Sequence, residues 1–120
     1  MIESGQAASP YPPGAPAPDF DVTSAVTPTS ATVFVRGEVD VYTAPQLREE
    51  LYGIMGEGVT QLTLDLSAMT FIDSTGLGVV VGAIKRLREV GGELVLRSPS
   101  RSTRKVLEIT GLTRIVEIQD

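Results

Sequence analysis

Asp73-Ser74-Thr75-Gly76-Leu77-Gly78 is the stretch of this 120-residue chain that sets a nucleophilic hydroxyl in a defined place, just after an apolar run and at the start of a helical pattern. A serine attacks a substrate only when a base takes its proton. The chain contains no histidine and no cysteine, and Ser74 does not sit in a G-x-S-x-G turn. Lys85 is the one nearby amine, but it stands eleven residues further along the predicted helix, about 16 Å away at 1.5 Å per residue. The chemistry left to Ser74 is therefore to receive a group from another protein, and a phosphate is the expected one.

The neighbours suit that role. Either Asp73 or Ser74 can act as N-cap, because both side chains accept hydrogen bonds from the free first-turn N–H groups. A phosphate adds about −1.5 to −2 of charge, which a helix N-terminus tolerates. Asp73, together with Asp40 from a neighbouring loop, deepens a negative field there. Gly76 and Gly78 are expected to leave the first turn uncovered, open to another protein. Binding is then switched while the fold stays intact. A dinucleotide site does not fit: Gly76-Leu77-Gly78 is followed by Gly82, the third glycine is misplaced, and no acidic ribose ligand occurs near position 96.

Composition narrows the class. Apolar residues make up 42% of the chain and aromatics 5%, so the core must be Val, Leu and Ile. No run approaches the roughly 18 apolar residues that span a bilayer, and the first residues lack the basic and apolar regions of a secretory signal. Without Cys there are no disulfides or thiolate sites; without His the commonest metal ligand is missing. A cytoplasmic, non-enzymatic protein without cofactor or metal is expected. The net charge of −5 argues against nucleic acid as partner. Residues 85–105 nevertheless hold seven of the ten basic residues and two acids, +5 in a chain of −5. That run reads as a solvated basic helix end, with a partner-facing patch as the sharper alternative.

These residues need elements to hold them. Residues 1–18 carry five of the eight prolines and one charge, Glu3, and read as a disordered arm before a domain over 19–120. Residues 20–26 and 31–39 predict two strands turning at Pro28, with Val33 and Val35 on one face and Phe34 on the other. Thr43-Ala44-Pro45-Gln46 suggests a capping box opening a helix through Leu47, Leu51 and Ile54 to Gly56. Leu62, Leu64 and Leu66 alternate as a strand that ends near Leu66, leaving Ser67–Thr75 as a loop. Leu77, Val80, Val81, Ile84 and Leu87 mark a helix from Gly76 to about Val90, stopped by Gly91-Gly92. A strand at 94–96, a helix over 100–110 closed by Gly111 with Leu112 folding back on Leu107, and a strand over 114–118 complete the chain. The order β-β-α-β-α-β-α-β implies an α/β domain with a mainly parallel sheet and an N-terminal hairpin strand, with sites at the carboxyl ends of its strands.

Four segments together carry a family resemblance: Arg36-Gly37-Glu38-Val39-Asp40 with Thr43-Ala44-Pro45; Leu64-Asp65-Leu66-Ser67; Phe71-Ile72-Asp73-Ser74-Thr75-Gly76-Leu77-Gly78-Val79; and Ile109-Thr110-Gly111-Leu112. In order and spacing, over residues 20–118, they resemble the STAS domains of bacterial anti-sigma factor antagonists. The resemblance implies a partner switch. The unphosphorylated protein binds an anti-sigma factor that is also a serine kinase, and so frees a sigma factor for transcription. The kinase phosphorylates the serine matching Ser74, and a PPM-type phosphatase restores it. The same match makes Asp40, Asp73, Thr75, Gly76, Leu77 and Gly78 the partner-facing residues, leaves Thr75 as an alternative acceptor, and assigns ATP and metal ions to the partners. A STAS-type scaffold without a phosphorylation cycle, as in stress-complex or transporter-associated proteins, is the other use of the fold. The family pattern continues into a final helix beyond the last strand, so either one sheet face is expected to be less covered here or the terminus is abbreviated.

Overall fold

The structure, a computed structural model, describes residues 19–120; the proline-rich arm expected over 1–18 lies outside the described residues. The strands are β1 (Asp21–Val26), β2 (Ser30–Val39), β3 (Gln61–Ile72), β4 (Glu93–Arg97) and β5 (Glu117–Gln119). The helices are α1 (Ala44–Gly56), α2 (Ser74–Glu89) and α3 (Arg101–Ile109). They form one sheet in the order β1-β2-β3-β4-β5, with β1 antiparallel to β2 and all later pairs parallel. The α/β architecture with an N-terminal hairpin strand is as the residue pattern implies.

Alternation builds the core. Val33 and Val35 of β2, Leu62 and Leu64 of β3, and Leu94 and Leu96 of β4 point to one face, where they join the buried residues of the helices, among them Leu47, Leu51, Ala83, Ile84, Leu87 and Leu107, in one cluster. The helical stripe of α1 is buried as its 3.6-residue spacing requires. Gly111 takes the left-handed turn (φ 82°) after α3, and Leu112, buried in the same cluster as Leu107, opens a 3-10 turn over Leu112–Arg114. The chain stays in turn and bend through Val116, so the strand expected over 114–118 is confined to Glu117–Gln119.

The larger correction concerns β3, which continues through Ile72 where a loop from Ser67 was expected. β2 is ten residues long and keeps pairing with β3 past two register shifts, between Phe34/Arg36 and between Gly37/Glu38. At each shift β3 carries one extra residue: Arg36 pairs with Ala68 and Glu38 with Phe71. Such bulges bend a strand and break its two-residue rhythm. Consequently Ser67 and Ala68 are both exposed, Met69 is buried, Thr70 and Phe71 are exposed, and Ile72 is buried.

On the opposite sheet face a cross-strand row runs Phe34–Asp65–Arg97. Phe34 is 39% exposed, and Arg97 lies over its ring, 6.0 Å from the centroid. Asp65 is buried and accepts from the Ser67 backbone N–H (2.9 Å), the Ser67 hydroxyl (2.6 Å) and Arg97 Nε (2.9 Å). Burial pushes the Asp65 carboxyl up; the Ser67 hydrogen bonds and the Arg97 guanidinium outweigh it and hold the carboxyl below its ordinary value of 3.8. A folded-state pKa below the unfolded one stabilises above the unfolded pKa, and that contribution disappears as pH falls through the folded value. Asp65→Asn is therefore expected to cost about 1–2 kcal/mol at pH 7. The difference from the parent should shrink below about pH 4, as read by urea unfolding at a series of pH values.

Candidate functional site

The site is assembled where β2 and β3 end side by side. Past Val39, the Asp40 carboxylate accepts from the backbone N–H groups of Tyr42 (2.9 Å) and Thr43 (3.1 Å), folding the loop on itself as an Asx-type turn. The Thr43 hydroxyl donates to the Glu38 carbonyl (2.8 Å) and accepts from the Asp40 N–H (2.9 Å). Thr43 therefore makes no side-chain cap to α1, and the capping box expected at Thr43–Gln46 does not form. Its hydroxyl is spent on the loop, while Pro45 occupies the first turn of the helix.

Past Ile72, the Asp73 N–H donates to the Val39 carbonyl (3.1 Å), which ties the two strand ends together. Asp73 is the N-cap of α2. Its backbone is extended (φ −105°, ψ −173°), and one carboxylate oxygen accepts from the N–H groups of Thr75 (2.9 Å) and Gly76 (3.0 Å). This decides between the two possible caps and makes Ser74, two residues before Gly76, the first residue of the helix. Ser74 and Thr75 are exposed; Asp40, Asp73 and Leu77 are half-buried.

The two glycines divide. Gly78 is exposed and has open space where a side chain would stand. Gly76 is buried, and a Cβ there would lie 2.7 Å from Val39 Cγ1 and from Ile72 Cγ1. Gly76 thus serves to let the first turn of α2 settle on the strand ends, and the expected uncovered first turn is open at Gly78 alone of the two.

Three residues absent from the sequence-derived set crowd the same end of the sheet. Val41 is 58%, Tyr42 88% and Phe71 48% exposed. Val41 and Tyr42 are carried outward by the Asp40 turn, and Phe71 stands opposite Glu38 in the bulged part of β3. A signal existed for the first two: apolar residues between a turn-forming Asp and a helix start have no core to enter. Phe71 was hidden by the bulges. Exposed aromatic rings at the sheet end that also holds Asp40, Asp73 and the Ser74 hydroxyl are the residue type that most often anchors protein interfaces. Beside Asp40 a cleft of about 520 Å³ opens, lined by Asp19, Arg36, Glu38, Thr43 and Thr70 among others. Among the described residues no cluster of His, Cys, Asp or Glu is placed to hold a metal, and no helix is long and apolar enough to cross a membrane.

The chain that sets an exposed serine at the Asp73-capped start of α2, on a hairpin-led parallel sheet, is matched over residues 21–120 by the model of the STAS domain. The chain belongs to the STAS domain family. It is 48% identical over 90 residues to the anti-sigma-B factor antagonist of Listeria monocytogenes, covering 73% of this chain and 77% of that one. The structure also resembles the anti-sigma factor antagonist SpoIIAA in its unphosphorylated form, with a TM-score of 0.71, 29% identity, and coverage of 82% of this chain and 86% of that one. It resembles the Bacillus cell fate determinant SpoIIAA in the phosphorylated form with a TM-score of 0.65, 29% identity and coverage of 82% and 89%. Within the family, the chain belongs with the anti-sigma factor antagonists, which are regulatory and non-catalytic.

Proposed function

We propose that this chain is a phosphorylation-controlled partner switch acting in the cytoplasm through protein contacts alone. Unphosphorylated, it binds an anti-sigma factor at the surface formed by Asp40, Asp73, Thr75, Leu77 and Gly78, joined by Tyr42 and Phe71, and thereby frees a sigma factor. The anti-sigma factor is itself a serine kinase: Ser74 Oγ takes the γ-phosphoryl of ATP, ADP leaves, and the hydroxyl proton passes to the kinase. A PPM-type phosphatase hydrolyses the ester and resets the switch. The observation that carries this reading is the position of Ser74. Its hydroxyl is exposed at the head of α2, while Asp73 already occupies the N–H groups of Thr75 and Gly76. A phosphate there stays on the surface as uncompensated negative charge, in the path of a docking partner.

The relative at 48% identity is named for antagonising anti-sigma-B factor, so the anti-sigma-B factor of Listeria monocytogenes is the probe. With ATP, it should phosphorylate the parent chain, and mass spectrometry should place a single phosphate on Ser74, with none on a Ser74→Ala chain that still binds. A phosphate on Thr75 instead moves the acceptor. Stable binding with no phosphate on either residue means a scaffold and overturns the switch.

A further inference from the structure

Among the described residues, the one cluster of cationic groups converging on a single aromatic ring lies away from Ser74, on the seam between α1 and α2. Arg48 of α1 and Arg86 of α2 both stack on Tyr52, at 4.5 Å and 5.2 Å from the ring centroid. Both arginines are exposed. Among the described residues the ion pairs are Arg97–Asp65 and Arg104–Asp120, so neither Glu49 nor Glu89, on the same helices, neutralises this pair. Two like charges are thus gathered on one ring, in a chain whose net charge is −5. Stacking spends the faces of the guanidiniums and leaves their N–H edges free to donate, the edges that pair with carboxylates.

The placement of this pair is as informative as its charge. Ser74, Gly78, Gly82 and Arg86 follow one another at intervals of four residues, a ridge that winds about 40° per step around α2. At Gly82 the Tyr52 hydroxyl occupies the space, 2.7 Å from where a Cβ would stand, while at Gly78 that space is open. Between Ser74 and the tyrosine this ridge therefore carries no side chain of its own, and the two glycines mark a path along it. It ends at the two arginines, about 18 Å along the helix axis from Ser74 at 1.5 Å per residue and about 120° round it.

We propose that Arg48, Tyr52 and Arg86 form a second docking point for the anti-sigma factor, one that receives an acidic segment of that partner laid along the path from Ser74. This rests on the partner reading above and adds the partner's chemistry to it. Contact near Asp40 and Asp73 favours a cationic or neutral partner surface, contact at Arg48 and Arg86 an anionic one. Opposite preferences at the two ends admit only one orientation of the partner along α2. The phosphate on Ser74 acts at one end only, so the arginine end is indifferent to it.

The test uses surface-immobilised full-length chains and the anti-sigma-B factor of Listeria monocytogenes, without nucleotide, at low and at physiological salt. Four chains are compared: parent, Ser74→Glu, the double reversal Arg48→Glu/Arg86→Glu, and the neutral Arg48→Gln/Arg86→Gln. The reversal should slow association and weaken binding about tenfold or more at low salt, the neutral pair should lose less, and both should flatten the salt dependence. Circular dichroism melts at the parent temperature show that the helices are intact; should the reversal melt early, the neutral pair carries the comparison. If both arginine variants bind like the parent while Ser74→Glu does not, the second docking point is wrong and the Ser74 surface stands. If the parent itself fails to bind, the partner reading falls, and this inference with it.

Discussion

A Ser74→Glu chain is expected to melt within a degree or two of the parent while its affinity for the anti-sigma factor falls by about two orders of magnitude. The first half follows from the cap. The head of α2 favours an anion by about 0.3–1 kcal/mol, but the Asp73 carboxylate already holds the Thr75 and Gly76 N–H groups. The new charge gains from the helix and is repelled by Asp73, so the terms nearly cancel in the exposed, screened setting of the free protein. In the complex the balance changes. Water is displaced, the screening is lost, and uncompensated like charges at an interface cost several kcal/mol; about 2.8 kcal/mol is a hundredfold. The true phosphate, with nearly twice the charge of glutamate, should do more. Calorimetric titration with melts of both chains checks this. Parent-like affinity would end the electrostatic account, and a loss of affinity matched by a loss of melting temperature would show that the fold, not the surface, had changed.

A large loss of stability is expected far from the serine, at Gly92→Ala. A Cβ on Gly92 would stand 2.2 Å from the Thr60 carbonyl oxygen and 3.0 Å from its carbon. That carbonyl cannot step aside, because it accepts the Glu93 N–H (2.9 Å), and Thr60 is itself held by its N–H to the Thr29 carbonyl (3.0 Å). These bonds start β3 and β4 in register, with Gln61 opposite Glu93. Relieving the clash means giving up that start, and a slip of one residue sends Leu94 and Leu96 to the wrong face. A loss of about 3 kcal/mol is expected, which in a domain of this size lowers the melting temperature by roughly 10–20 °C. Gly91 is the control. It has a positive φ of 75° but no neighbour within 4 Å of a Cβ, so Gly91→Asn should cost little, since Asn tolerates that conformation. Equal losses at 91 and 92 would refute the steric argument.

Much of the fold was legible because its cause is local. Two-residue alternation marks β2 and the first half of β3, and 3.6-residue spacing marks α1 and α2. Glycines stop α2 and α3 where the backbone must turn. Local chemistry also brought Ser74 into view: a hydroxyl beside a capping carboxylate, with no base in the chain to turn it into a nucleophile. The second half of β3 was hidden because its two bulges erase the period on which a strand is recognised, although β2 remains as its pairing partner.

The amino-acid sequence alone determined that Ser74 lies at a helix start, that the core is aliphatic, and that the topology is a hairpin strand followed by parallel crossovers, since each of these is written in the order and pattern of residues along the chain. Only the tertiary structure decided that Asp73 rather than Ser74 is the cap and that Thr43 serves the Asp40 loop rather than α1. It also decided that Gly76 faces inward, that Tyr42 and Phe71 are exposed at the end of the sheet where α2 begins, and that Arg48 and Arg86 meet on Tyr52. The reason is the same for most of these. A polar side chain with two possible partners, or a ring with two possible neighbours, is assigned by which strand ends and helix faces are brought within about 3–5 Å, and that distance is set by packing between elements far apart in the chain.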